Sequence, residues 1–371
     1  MEKWRRQPIM KALVLTGQNQ YQVVSYFLDG IAHDLTILGY DVDFLNVQSE
    51  STIKDGLVHI LPLNDYDMIF SFNGVGLGEV SENYNTLDYA KEKPLYVFCV
   101  DNPIHLMLRF FGQPVKVLCV AQEHEAFLRA CGVEAYYFPH AVPSNFSVPS
   151  SQPASDACAI PLLFPVSFID KQAFRKELAP VWDKLGQVIE ASHTVTDFLQ
   201  LIGVMPSPQG PARTQLNEMI LRISATVDKY LRAKQREACL IDCANQNRRL
   251  TVIGRDVTRY SEVCDFHQYK DSVSFSELLS LISQSDFVVH QSPGFERGLH
   301  ERVLYALASG TGVLSYHAQF AESVFANKGV FGFEHTLPKA TDNAYLEAVK
   351  KGQETVLTQH TWHNRLALLL K

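Results

Sequence analysis

Several segments of this chain are apolar along their whole length, not at alternate positions, and nothing else limits its fold so sharply. KALVLTG (11–17), DYDMIFSFNG (65–74), KPLYVFCVDNP (93–103) and VKVLCV (115–120) are of this kind. A strand with one wet face alternates apolar and polar residues, whereas a strand apolar on both faces belongs to a sheet covered on both sides. Between these segments lie stretches of helical period. Residues 21–38 carry Val23, Val24, Phe27, Leu28, Ile31, Leu35 and Leu38 on one face, and 123–130 is a second helix candidate. GYDVDFLNV (39–47) and EAYYFPHAVP (134–143) complete the series as strands. Strands alternating with helices imply an α/β fold with a doubly wound parallel sheet.

VPSNFSVPSSQPASD (142–156) is rich in Ser and Pro and reads as a linker. A second series follows it. IPLLFPVSF (160–168), RRLTVIGR (248–255), DFVVHQS (286–292) and TGVLSY (311–316) read as strands, the last closing the sheet. A long helical stretch is expected over 171–201, then a loop at MPSPQGPA (205–212). Leu216, Met219, Ile220, Ile223, Val227, Tyr230 and Leu231 mark the next helix. Ser274 and Glu277 have the spacing of a capping box, and one final helix is expected over 343–370. With 371 residues, the chain suits two Rossmann-like domains, 1–150 and 151–340, and a C-terminal helix, 341–371, packing back across their junction.

The net charge of −7 argues against nucleic acid or anionic lipid as partner, since both demand clustered Lys and Arg. No apolar run is long enough to span a membrane, and the basic start lacks the apolar core and cleavage pattern of a signal peptide, so the expected location is cytoplasmic. Seven cysteines are scattered without a C-x-x-C pair; Cys239 and Cys243 read as packing, not as metal ligands. No metal site is expected.

In doubly wound sheets, ligands bind beyond the carboxyl ends of the strands. In the first half those positions hold Gln18, Asn73, Asp101, Asn102, His105 and His140. Asp101 with His105 fits a general base for an alcohol nucleophile. Asp101 and Asn102 equally fit caps of the turn that follows the strand. No G-x-G-x-x-G occurs, so neither a nicotinamide nor a flavin cofactor is expected. In the second half the strand ends carry Ser167, Arg255 and the run Pro293, Gly294, Phe295, Arg297 and Gly298, which leads into a helix at about Leu299 with His300, Glu301 and Arg302 at its start. A helix N-terminus with basic neighbours suits a phosphate. Glu301 also suits the helix dipole, and Arg302 suits a carboxylate partner.

SPGFERGLHERVLYALASGTGVLSY (292–316) resembles the donor-binding segment of GT-B glycosyltransferases, in particular the CgeB-like, spore-maturation-type group. HTWHNRLALLL (360–370) resembles that group's closing helix, VDNP (100–103) and FSFNG (70–74) its N-terminal domain, and VDKYLRAKQREACLI its middle helix. The resemblance covers most of the chain, most firmly 287–316. It implies the GT-B architecture: two facing Rossmann-like domains, a nucleotide-sugar on the C-terminal one, an acceptor on the N-terminal one, and no obligatory metal or other cofactor. It assigns donor binding to Ser167, Arg255, Pro293, Gly294, Phe295, Arg297, Gly298, His300, Glu301 and Arg302. Acceptor binding falls to Gln18, Asn73, Asn102 and His140, and catalysis to Asp101 and His105. There is one departure: Tyr305 stands where many retaining members place the second of two Glu, and Glu296 lies one residue from the place of the first. The expected activity is transfer of a sugar from a nucleoside-diphosphate sugar to a hydroxyl. A sugar-nucleotide epimerase or hydrolase of the same architecture, or a non-catalytic structural protein, are the competing readings.

Overall fold

The structure is a computed structural model and describes residues 10–17, 23–48, 50–148, 160–204, 217–292 and 294–371. The expected loop at 205–212, the linker beyond residue 148, and the site candidates Gln18 and Pro293 lie outside the described residues.

In the first half the strands are β1 (Met10–Thr16), β2 (Tyr40–Asn46), β3 (Met68–Phe72), the hairpin β4 (Glu79–Ser81) and β5 (Tyr84–Asn85), β6 (Leu95–Cys99), β7 (Lys116–Cys119) and β8 (Ala135–Tyr137). The helices between them are α1 (Val23–Ile37), α2 (Glu50–Leu57), α3 (Thr86–Ala90), α4 (Met107–Phe110) and α5 (Gln122–Ala130). The second half holds β9 (Ile160–Pro165), β10 (Thr251–Ile253), β11 (Gln268–Lys270), β12 (Ser285–Gln291), β13 (Gly312–Tyr316) and β14 (Val330–Gly332). Its helices are α6 (Lys171–Glu177), α7 (Ala179–Ala191), α8 (Val195–Leu201), α9 (Glu218–Asn245), α10 (Phe275–Ser283), α11 (Glu301–Ala308), α12 (Gln319–Val324), α13 (Asn343–Gln359) and α14 (Trp362–Leu369).

Two six-stranded sheets result, ordered β2-β1-β3-β6-β7-β8 and β11-β10-β9-β12-β13-β14, and their ladders are parallel. Every residue of β3, β6 and β13 is buried, as strands apolar on both faces require. In the first sheet the chain reverses direction around β1 and β3; in the second it reverses between β9 and β12. Those are the points at which crossovers diverge and leave a crevice.

Four local details differ from the sequence expectation. The stretch 171–201 is three helices: Pro180 sits in the first turn of α7, and Thr194 with Asp197 forms a capping box that starts α8 afresh. The last helix is two: Thr361 and Asn364 form another capping box, and the break turns Trp362 inward. TGVLSY does not close its sheet; β14, only three residues long, pairs beyond it at Val313, Leu314 and Ser315. Finally, α11 begins at Glu301, because His300 is its cap and not a helical residue.

The two halves share apolar surface. On α1, the Tyr26 ring lies 5.0 Å from Phe275, and Phe27 stacks on Tyr305 at 6.0 Å. Trp362 is fully buried against Phe27, Phe98 and Phe138, so the C-terminal helix completes a core of the first half. Asp34 fixes that packing by accepting the backbone N–H groups of Ser144 and His363, each at 3.0 Å. Among the described residues no helix is long and apolar enough to cross a membrane.

Candidate functional site

A cavity of about 410 Å³ opens beyond the carboxyl ends of β9, β10 and β12, at the reversal point of the second sheet. Two strand ends form its floor. Val166 N–H donates to Ile253 O, and Phe168 N–H donates to Arg255 O, each at 2.9 Å. Gly254 makes that approach possible: a Cβ there would stand 1.9 Å from the Val166 carbonyl oxygen.

Four guanidinium side chains line the cavity: Arg232 and Arg236 from α9, Arg255 after β10, and Arg302 from the first turn of α11. Arg236 is buried and donates to the Ser167 carbonyl; burial pushes its pKa down to about 10, with Arg232 adding to the shift. Arg232 Nη1 lies 3.7 Å from Asp228, a buried carboxylate one turn earlier on the same helix. The Nε atoms of both Arg232 and Arg236 are buried without a hydrogen-bond partner. Burial also lowers Arg302, against the pull of neighbouring Glu301. Concentrated positive charge with unspent donors calls for an oxyanion.

His300 caps α11. Its Nδ1 lies 3.2 Å from Arg302 N–H and 2.8 Å from Glu301 Oε2, so the ring's tautomer decides which contact it serves. Burial alone would raise the Glu301 carboxyl; His300, His140 and Arg302 outweigh burial and hold it well below the usual carboxylate range. His140, 3.6 Å from Glu301, is pushed the other way, to about 4, by burial that Glu301 only partly offsets. Glu301 is therefore a carboxylate against a neutral His140 at pH 7. His290, at the end of β12, is also buried and held well below the usual imidazole range by burial, with His300 and Arg302 adding to it.

Ser167, Arg255, His300, Glu301 and Arg302 thus meet in one cavity, and Arg232, Arg236 and Gln291 join them. The glycine-rich loop before α11 has another setting. Glu123 at the start of α5 accepts the backbone N–H groups of Glu296 and Arg297, Gln122 N–H donates to Arg297 O, and Ala121 bridges to Gly298. A Cβ on Gly298 would lie 2.6 Å from the Val120 carbonyl oxygen, so only glycine permits this approach of the two halves. Gly294 adopts φ +104° beside Asp228 and Arg232, and Phe295 packs edge-on against His124. The Arg297 side chain is exposed, and neither it nor these three residues line the cavity.

In the first half, Asn73 Nδ2 donates to Asp101 Oδ2 at 2.8 Å, and its Oδ1 accepts Val100 N–H at 3.0 Å. Asn102 Oδ1 accepts Ile104 N–H, capping the turn. His105 Nε2 faces Asp228 at 2.8 Å. Asp101 and His105 therefore have different partners, and neither lines the 410 Å³ cavity. Tyr305 is buried among Tyr26, Phe27, Phe146 and Phe275, while Glu301, one turn earlier, lines the cavity. Among the described residues no group of three or more His, Cys, Asp or Glu is placed to hold a metal ion.

Arg232 and Arg236 were the omission from the sequence reading. Their signal is present: Asp228, Arg232 and Arg236 recur at four-residue steps, a polar stripe along a helix face that also buries Val227, Leu231 and Leu240.

Comparison with known proteins agrees with this architecture. Residues 234–371 match a family model described as glycosyl transferase-like. A glycosyltransferase from Rickettsia africae is similar over 98% of this chain and 97% of its own, at 10% identity and a TM-score of 0.53. A glycosyltransferase involved in avilamycin A biosynthesis is similar over 97% and 96%, at 13% identity and 0.50. An α-glucosyltransferase solved with UDP-glucose and DNA containing an abasic site is similar over 98% and 100%, at 12% identity and 0.50. None of the curated proteins searched matches the chain. The chain has the two-sheet fold of GT-B glycosyltransferases, and its residues 234–371 match the glycosyl transferase-like domain.

Proposed function

We propose that the protein transfers a sugar from a nucleoside-diphosphate sugar to an acceptor hydroxyl. The observation that carries this reading is the cavity lined by Arg232, Arg236, Arg255 and Arg302 at the reversal point of the second sheet. Its volume lies within the range of small-molecule sites, about 300–1,000 Å³. UDP-glucose is present in the α-glucosyltransferase of similar fold, in keeping with such a donor.

In the transfer, the bond between the anomeric carbon and the diphosphate oxygen breaks, and its electron pair leaves with the diphosphate. The acceptor oxygen bonds to the carbon and gives up its proton. Charge develops on the diphosphate, where the four guanidinium groups and the positive end of α11 stabilise it, an effect that commonly dominates such chemistry. These groups supply that charge without calling on a metal. The proton is assigned to Asp101, which Asn73 orients.

Thermal shift against UDP, dTDP, GDP and CMP tests the donor site. A ligand that binds the native state at 100 times its Kd adds about 2.7 kcal/mol, a shift of several degrees. A flat response to every nucleotide sinks the reading. Product analysis with and without acceptor then separates transfer from hydrolysis or epimerisation.

A further inference from the structure

A second cavity, about 420 Å³, lies where α13 gives way to α14. Thr358 and Gln359 line it from the end of α13, and His363, Arg365, Leu368 and Lys371 from α14 and the residues after it. It shares no lining residue with the arginine-lined cavity, and no Asp or Glu lines it. Its volume falls within the range of small-molecule sites, about 300–1,000 Å³.

The break between the two helices is already satisfied. Trp362 N–H donates to Val142 O at 2.9 Å, His363 N–H to Asp34 at 3.0 Å, and Asn364 N–H to Thr361 Oγ1 at 3.2 Å. The start of α14 therefore has no free donor in these three positions, and the Arg365 guanidinium stands apart from them. Its Nη2 donates to His360 Nδ1 at 2.7 Å, and its Nε is buried without a hydrogen-bond partner. A guanidinium carries five N–H donors, so most of those of Arg365 are unspent.

Its charge is unspent as well. Burial lowers the Arg365 pKa, and the group that pulls the other way is Tyr137, a phenol that burial keeps neutral, not a carboxylate. His360 brings no charge to set against it: burial, with Arg365 and Lys328 adding to it, pushes its pKa down to about 4. Asp34 is committed to Ser144 and His363. In the other cavity Arg232 has Asp228 and Arg302 has Glu301, whereas here Lys371 adds a second positive charge. A partly buried cation without a counter-charge is costly, and an arriving oxyanion repays that cost.

We propose that this cavity binds a small phosphate monoester, with the phosphate on Arg365 and Lys371 and the organic body against Ala367 and Leu368. Two cations with no acid beside them suit a dianion, and the guanidinium fork matches phosphate oxygens. Leu368, 66% exposed, offers apolar surface to the body of the ester. The assignment does not depend on the glycosyl-transfer reading.

The full chain is titrated at pH 7 with phenyl phosphate, phenol and inorganic phosphate, by calorimetry and thermal shift. Phenyl phosphate binds, phenol binds at least about tenfold more weakly for want of the charge-assisted contacts, and inorganic phosphate binds more weakly than the ester. Arg365→Gln and Ala367→Trp, the second filling the cavity with Arg365 in place, each remove one phenyl phosphate site; Arg255→Gln, in the other cavity, leaves that site intact. Without ligand, Arg365→Gln melts no lower than the wild type, because it gives up a cation that lacks a counter-charge; a purely structural arginine would lower the Tm. Where Arg365→Gln does not melt cooperatively, Ala367→Trp decides. No binding of phenyl phosphate, equal binding of phenol, tighter binding of inorganic phosphate, or a site count unchanged in a folded Arg365→Gln or Ala367→Trp protein overturns the proposal.

Discussion

His105 Nε2 and Asp228 Oδ2 meet at 2.8 Å, joining the turn after β6 to helix α9 of the other half. Asp228 is 1% exposed and also faces Arg232, so one buried carboxylate serves the junction and the arginine-lined cavity together. Asp228→Asn removes the charge both partners face. The expected result is a loss of about 1–3 kcal/mol in urea unfolding, with weaker nucleotide binding in the same variant. Stability and affinity both at the wild-type level would separate Asp228 from either role.

Arg232 and Arg236 on α9 and Arg302 on α11 are predicted to act on the donor. Arg232→Ala, Arg236→Ala and Arg302→Ala each remove a charge-assisted contact of about 1.5–3 kcal/mol, so nucleoside-diphosphate affinity falls roughly tenfold to a hundredfold. Calorimetry with the nucleotide found by thermal shift checks this. A nucleoside without phosphates should bind all three variants as it binds the wild type.

His124 sits 2% exposed beside Phe295, with neither ring nitrogen hydrogen-bonded. Burial pushes its pKa down to about 4, although Asp228 pulls the other way. Below the unfolded value of about 6.5, the unfolded chain takes up a proton that the native ring refuses. This stability is therefore fully present above pH 6.5 and drains away as the pH falls towards 4, by at most about 3 kcal/mol. His124→Leu should flatten that limb of the Tm-against-pH curve without loss at pH 7, since no hydrogen bond is given up. An unchanged acid limb would show that His124 does not contribute to it.

Trp362→Ala empties a fully buried site among Phe27, Phe98 and Phe138, and should cost about 3–5 kcal/mol. Denaturant unfolding measures it. A cost below 1 kcal/mol would mean that the aromatic core closes over the gap.

Strand existence was readable because the buried strands are uniformly apolar: β3 and β6 announce themselves as MIFSF and LYVFC. β11 and β14, three residues each and without a longer apolar run around them, escaped the sequence reading, and their pairing is decided by a neighbour already in place. The cluster of His300, Glu301 and Arg302 was visible as polar residues ahead of an apolar helix, but the capping role of His300 was not, since histidine is a rare cap. Arg232 and Arg236 escaped because they lie far from any strand end in sequence; α9 carries them there. Asp101 and His105 stand four apart, yet the turn sends one to Asn73 and the other across the junction.

The seating of Trp362 against α1 also orders events during synthesis. The first half, although made first, exposes the aromatic faces of Phe27, Phe98 and Phe138 until residues 362–369 have left the ribosome and docked. Its maturation must wait for the second half, in contrast to the usual domain-by-domain order of folding on the ribosome. A chain cut short before residue 362 would thus be not a folded protein lacking a helix but one with an adhesive aromatic face, a natural client for chaperones.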